Sequence, residues 1–234
     1  MADRTCRQPP VQRAEDSLSH YVLAAACVLV AYLIGSIPSG YLVARVRGVN
    51  IQQVGSGNIG VTNVLRSVGI VPAILVGLAD PLKGIIAVLL PRLMGLDHAV
   101  IALCGLAVVV GNNYNVFLRF RGGKGIATSF GVMVMINPLT ALFSLIIGIY
   151  TIALGRFVSL GSLAGIAAAP LFMLLQPDVP QAYLYVTIAL VLLATWRHRD
   201  NIVRLARGTE NRLGRKVSGN FKSPDEVAPP ADEA

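Results

Sequence analysis

Charge is what this sequence has least of. Only 14% of its 234 residues are charged, against 54% that are hydrophobic, whereas water-soluble domains carry about 25% charged residues. With a mean hydropathy of +0.65, a soluble domain is excluded and a single-domain integral membrane protein is implied. Cysteine is also scarce. Cys6, Cys27 and Cys104 have no paired spacing, and two lie in or beside apolar runs, so buried, unbridged thiols are expected. No Asp/Glu cluster has metal-ligand spacing, so neither a metal nor a cofactor is expected. No glycine turn completes the pattern G-x-x-x-x-G-K-S/T, because Gly125 follows Lys124, and this argues against nucleotide hydrolysis. No internal repeat is visible.

What is present is a series of apolar runs, at 21–46, 68–94, 97–110, 126–135, 139–154, 158–175 and 182–196. A membrane span needs about 20 residues, so two of these runs are short enough to be tilted, broken or partial. Asn137-Pro138 separates the fourth from the fifth, since proline lacks a backbone donor and restricts the residue before it. Residues 1–19 carry mixed charge without a cleavage-site pattern and read as a disordered leader. Residues 218–234, rich in Pro, Asp and Glu, read as a disordered tail, leaving 20–217 as the membrane domain.

The net charge of +8 lies in short loops between apolar runs. Phosphate-bearing lipids or metabolites fit that placement better than nucleic acid, which is not expected as a partner. Three segments are strongly basic: 45–66, 119–124 and 197–216. Placing all three on the cytoplasmic side makes 126–154 cross twice or not at all. Two crossings give an all-α bundle of about seven transmembrane helices, with the N-terminus outside and the C-terminus cytoplasmic. That topology also brings Arg156, Ser159 and Ser162 to the side of the basic loops.

Two of those loops are built to hold an anion. Residues 111–128, GNNYNVFLRFRGGKGIAT, set Arg119, Arg121 and Lys124 around Gly122, Gly123 and Gly125, with no acid among them. Glycine lets backbone N–H groups close on phosphate oxygens, and a following helix adds its positive dipole end. A solvated basic loop obeying membrane orientation rules is the alternative. Residues 55–63, GSGNIGVTN, offer Gly55, Ser56, Gly57, Asn58 and Asn63 for wrapping a phosphate or polyol, with Arg66 as a forked donor. A tight turn between helices is the alternative there. Asp80 and Lys83 share a helix face and either neutralise one another or meet substrate. His198 and Asn201 share a face at i, i+3, as a proton shuttle with its partner or as headgroup contacts. His20 and His98 flank spans and read as incidental.

Together these stretches resemble the acyl-phosphate-dependent glycerol-3-phosphate acyltransferases, the PlsY family of bacterial membrane enzymes. The likeness runs from about residue 31 to 214 and is carried by AYLIGSIPSGYLVAR, VGSGNIGVTNVLRSVG, LADPLKG, RFRGGKGIATSFGV, VSLGSL and WRHRDNIVRLARGTENRLG. The resemblance implies acyl transfer from acyl phosphate to the 1-hydroxyl of glycerol 3-phosphate. The product is lysophosphatidic acid, and the setting is the inner cell membrane with the site facing the cytoplasm. Membrane lipids are the surroundings, and a monomer is expected. Matched position by position, Ser56, Arg66, Lys124, His198 and Asn201 take catalytic places. Ser162 joins the glycines and asparagines named above in binding, and Glu210 is structural. No histidine here is followed five positions later by aspartate, the dyad of soluble acyltransferases, and the family needs no acyl-enzyme nucleophile. One departure stands out. Family members usually read Gly-His-x-x-Pro where this chain has Gly111-Asn112-Asn113-Tyr114-Asn115, and asparagine cannot shuttle a proton. Two other readings remain: a transporter of organic phosphates with these loops at its mouth, and a catalytically weakened family member.

Overall fold

The computed structural model describes residues 10–214, with side chains from Leu18 onward. These residues form ten α-helices and one short 3-10 turn, and there is no strand among them. The expected tail at 218–234 lies outside the described residues, as do the first nine residues of the expected leader. Its remainder continues into α1 (Pro10–Gly35).

Each apolar run becomes helix. The first is divided between α1 and α2 (Ser39–Val46), because Pro38 stands between them and keeps its predecessor out of the helical region. After a short α3 (Val61–Ser67), the second run is α4 (Ile70–Leu93) and the third α5 (His98–Asn113). Asp97 caps α5, accepting from the N–H of Ala99 at 2.8 Å and Val100 at 3.0 Å, and lies 3.4 Å from His20. Next come α6 (Ile126–Ile136) and α7 (Pro138–Gly155). They break where expected, with Pro138 in the first turn of α7 and the Asn137 side chain accepting from Thr140 N–H at 2.9 Å. The described helices close with α8 (Val158–Leu174), α9 (Gln181–Arg197) and α10 (Arg199–Ala206).

Among the described residues, four helical stretches are long and apolar enough to cross a bilayer: Leu18–Val46, Ile70–Leu93, His98–Leu118 and Pro138–Gly155. The shorter apolar helices are α6, α8 and α9. At 11 residues, α6 rises roughly 16 Å, about half the hydrocarbon thickness.

The helices pair as α1 on α5, α4 on α6 and α7 on α8, with α9 joining α5 to α8. A core of Val88, Cys104, Val108, Val132, Leu190 and Ala194 lies where they meet. A smaller one, with Ile51, Ile59, Val64 and Val76, pins the first basic loop onto α3 and α4. Cys104 is buried and Cys27 half-buried, both free thiols; Cys6 is outside the described residues. Leu78, Leu93, Leu154, Leu171 and Leu192 stay exposed on the outer faces, a surface suited to lipid. One crossing places the site. A Cβ on Gly131 would lie 2.0 Å from the Pro81 carbonyl oxygen, and one on Gly84 would lie 2.3 Å from that of Thr128. Small residues thus let α4 and α6 touch along their backbones, bringing the start of α6 beside Asp80 and Pro81.

Candidate active site

A cavity of about 460 Å³ lies among the first basic loop, the start of α6, the α7–α8 pair and the segment from His198 to Asn211. Ser56, Asn58, Asn63, Arg66, Gly123, Lys124, Gly125, Ser162, His198 and Asn201 all line it, whereas Gly55, Gly57 and Gly122 do not. Residues up to about 150 positions apart in sequence therefore meet at one site.

The glycine turn is held from both sides. Asn115 starts it, its Oδ1 accepting from Phe117 N–H at 3.0 Å and Leu118 N–H at 3.2 Å while its Nδ2 donates to the Ser36 carbonyl at 2.6 Å. The chain then turns back through left-handed backbone at Arg119 and Phe120 (φ 51° and 63°). Gly122 N–H donates to the Asn113 carbonyl at 3.2 Å and Gly123 N–H to that of Asn112 at 2.9 Å. On the far side, Arg197 donates to the carbonyls of Gly122 and Gly123 at 2.9–3.1 Å and lies 5.3 Å from the Tyr114 ring centre. Gly122 and Gly123, whose N–H groups are expected to close on phosphate, thus commit them to α5. Their small size serves close approach instead, since a Cβ on Gly122 would sit 2.1 Å from the Asn112 carbonyl oxygen. The amides that remain free to meet an anion at the cavity are those of the first turn of α6, where Gly125, Ile126 and Ala127 form the wall.

Asn63, also expected to meet substrate, bonds within its own loop. Its Oδ1 accepts from Ser56 N–H at 3.0 Å, and its Nδ2 donates to the carbonyls of Ile51, Val54 and Asn58 at 3.3, 3.1 and 2.9 Å. The side chain is the scaffold of its loop, with its polar atoms spent there. Gly55 and Gly57 take left-handed backbone (φ 59° and 69°) to wrap around it. Arg66 has one weak contact, to the Asn211 carbonyl at 3.5 Å, which leaves its guanidinium largely available to a ligand.

Glu210 organises the third wall. Its Oε1 accepts from Asn201 Nδ2 at 2.6 Å and from Ser159 Oγ at 2.9 Å, and its Oε2 from Arg204 Nε at 2.7 Å. Burial pushes this carboxyl up, but the hydrogen bonds outweigh it and hold the group below the usual carboxylate range. Asn201 passes the arrangement on by accepting from Lys124 Nζ through Oδ1. Burial, partly offset by Glu210 and reinforced by Arg204 and Arg197, pulls the Lys124 ammonium down to about 8. His198 is 3% exposed, with Nδ1 2.8 Å from the Ala194 carbonyl oxygen. A carbonyl only accepts, so Nδ1 carries the proton and Nε2 the lone pair. Burial, and then the neighbouring Lys124, push this imidazole down to about 4.

Beyond the cations the cavity becomes apolar, walled by Phe130 and Met133 of α6, Leu145, Ile149 and Ile152 of α7, and Ile166 of α8. A cationic end joined to an apolar arm fits an amphiphile carrying a phosphate. Arg197 and Arg204 are the residues that sequence reasoning left unassigned. The spacing of Arg204 from Asn201, one helical turn on, is a signal that could have found it; nothing local marks Arg197. Asp80 and Lys83 do pair, at 2.6 Å, and Asp80 lines the cavity. His98 meets the Tyr183 hydroxyl at 2.9 Å and, like His20, takes no part in the cavity wall.

The family model for glycerol-3-phosphate acyltransferase matches residues 25–208. Glycerol-3-phosphate acyltransferase 1 of Deinococcus radiodurans is 49% identical over 197 residues, covering 83% of this chain and 98% of that protein. A glycerol-3-phosphate acyltransferase of Thermus thermophilus is 49% identical over 191 residues, covering 81% and 95%. Among solved structures, the glycerol 3-phosphate form of PlsY (YgiH), an integral membrane glycerol 3-phosphate acyltransferase, superposes with a TM-score of 0.78 at 41% identity, covering 82% of this chain and 96% of that one. Its lysophosphatidic acid form gives 0.76 at the same identity, covering 82% and 95%. With the family model spanning most of the sequence and relatives matched over nearly their full length, this chain belongs to the glycerol-3-phosphate acyltransferase family.

Proposed function

We propose that this protein is a membrane acyltransferase that moves a fatty acyl group from acyl phosphate to the 1-hydroxyl of glycerol 3-phosphate, giving lysophosphatidic acid for phospholipid synthesis. The observation that carries the reading is one cavity lined both by Arg66, Lys124 and Arg204 and by an apolar arm of side chains from α6, α7 and α8, in a chain of this family. The cations and the α6 N-terminus hold the phosphates, and the arm holds the acyl chain. Ser56, Ser162 and Asn201 orient the polar groups of the substrates. The glycerol hydroxyl oxygen attacks the acyl carbonyl carbon, the carbon–oxygen bond to phosphate breaks, and inorganic phosphate leaves. With its pKa near 4, His198 is too weak a base to keep the proton near neutral pH. Its Nε2 accepts a hydrogen bond from the attacking hydroxyl, and a substrate phosphate oxygen takes the proton. Most of the acceleration comes from positioning two anions against fixed cations and amides.

The setting we propose is the inner cell membrane, crossed seven times by 20–217, with the N-terminus outside and the cavity open to the cytoplasm. Purified protein in detergent tests the reaction, since an acyltransferase forms lysophosphatidic acid there, whereas a transporter needs a sealed membrane. Arg66→Ala should abolish turnover without unfolding the chain, because the guanidinium supports little of the fold. Activity like that of wild type in Arg66→Ala would remove this assignment.

A further inference from the structure

Four buried polar groups meet beneath the glycine turn. Lys83 Nζ lies 2.6 Å from Asp80 Oδ1, 3.0 Å from the Ile37 carbonyl oxygen, 3.3 Å from Ser39 Oγ and 3.1 Å from Asn112 Oδ1. Ser39 Oγ in turn donates to Asp80 Oδ1. Lysine has three donors and no acceptor, so whatever faces it from position 112 must accept. The lysine therefore decides which way the Asn112 carboxamide points: oxygen toward α4, nitrogen away from it. Asn112 is only 4% exposed, yet it lines the cavity. Its Nδ2 lies beside Gly123, within 2.9 Å of where a Cβ would stand, and donates to no protein group among the described residues.

We infer that Asn112 Nδ2 is a further substrate-binding donor of this site, held by Lys83 as its positioning residue and directed at an anionic oxygen of the bound substrates. The inference rests on the acyl-transfer reading above and extends it. A neutral donor beside Lys124 reaches the same charge that the cations attract, and it needs no reorientation, because a buried ion pair fixes it. It also explains how this chain does without a histidine at position 112. A neutral imidazole offers one accepting nitrogen and one N–H, and a carboxamide offers an accepting oxygen and an NH₂. With a lysine claiming the acceptor, either residue presents a donor to the cavity and neither acts as a base.

The test uses full-length protein in detergent with glycerol 3-phosphate and a long-chain acyl phosphate. Asn112→Asp keeps an acceptor for Lys83 and removes the donor; Asn112→Leu removes both; Asn112→His restores both. Loss of a preorganised donor commonly costs on the order of 10²-fold in turnover, and that loss is expected for Asn112→Asp and Asn112→Leu. Asn112→His should recover turnover to within roughly tenfold of wild type, which a purely steric role would not produce. Lys83→Met should lower the same parameter, and adding it to Asn112→Asp should cost little more, since both act through one group. A raised KM for glycerol 3-phosphate assigns the oxygen to that substrate, a raised KM for acyl phosphate assigns it to the donor, and a fall in kcat alone assigns it to the carbonyl oxygen of the transition state. Wild-type kinetics in Asn112→Asp would overturn the inference. If wild type makes no product, the reaction reading fails, and thermal stabilisation by glycerol 3-phosphate or by a long-chain acyl phosphonate decides the site. Stabilisation lost in Asn112→Asp supports the donor, and stabilisation unchanged with both ligands overturns it.

Discussion

Burial leaves Lys124 near the loss of its proton in mildly alkaline solution, so binding of an anionic substrate should depend on pH. For the free protein, kcat/KM is expected to fall as pH rises through about 8, roughly tenfold per further pH unit; a profile flat to pH 10 would remove Lys124 from phosphate binding. His198 acts through stability. Its folded pKa is about 4 against an ordinary 6.5, so between those values the unfolded chain binds a proton that the folded one refuses. Stability contributed by this neutral imidazole is therefore complete above pH 6.5 and is lost as pH falls toward 4, by about 3 kcal/mol. His198→Asn should flatten that part of the melting-temperature profile, and an unchanged slope would place the titration elsewhere. At this scale Ser56, Arg66, Lys124, Ser162, His198 and Asn201 were legible as site residues, and all reach the cavity. Asn63, Gly122 and Gly123 were read as binding residues, and in the structure the polar atoms of Asn63 and the N–H groups of the two glycines bond within the protein. Residue type states hydrogen-bonding capacity but not where that capacity is spent.

The elements carry a different sensitivity, because α6 begins at the glycine turn and is fixed by its backbone contact with α4. Gly131→Ala places a methyl 2.0 Å from the Pro81 carbonyl oxygen, so α6 must shift. Overpacking of this kind costs about 1–3 kcal/mol, and turnover should fall with the melting temperature because the start of α6 moves with Lys124. Gly148→Ala, where the nearest atom would be 3.2 Å away, should be the milder change. Equal destabilisation of the two variants would contradict the close α4–α6 crossing. Helix positions followed from apolar runs and from Asn137 and Pro138, whereas the break at Pro38 appears only in the structure. Helix lengths followed less evenly: Pro10–Gly35 and Ser39–Val46 share one run, while α6 keeps the shortness of its run.

For the whole molecule the open quantity is the direction of the chain through the bilayer. Charge parity places 58 and 121 on one side and 178 on the other, and Arg121 and Asp178 are exposed. Single cysteines at 58, 121 and 178, in a chain cleared of its native cysteines, should label from opposite sides, with 178 reached from outside the cell. Labelling of all three from the same side would sink the seven-crossing arrangement and require an even number of crossings between the second and third basic loops and position 178.

Sequence by itself determined that this is a membrane protein, because too little charge is present for a water-facing surface, and that it is helical, because isolated spans must satisfy their own backbone. Its motifs also named the family and many of the polar residues that line the cavity. Only the tertiary structure decided which of the polar residues are scaffold. Arg197 grips the turn across 74 residues of sequence, and Lys83 reaches Asn112 across 29. Such partners are chosen by helix packing, for which local sequence carries no period and no spacing. The same packing settles Asn112: a side chain that could present either end of its amide is turned one way by a buried ammonium from another helix.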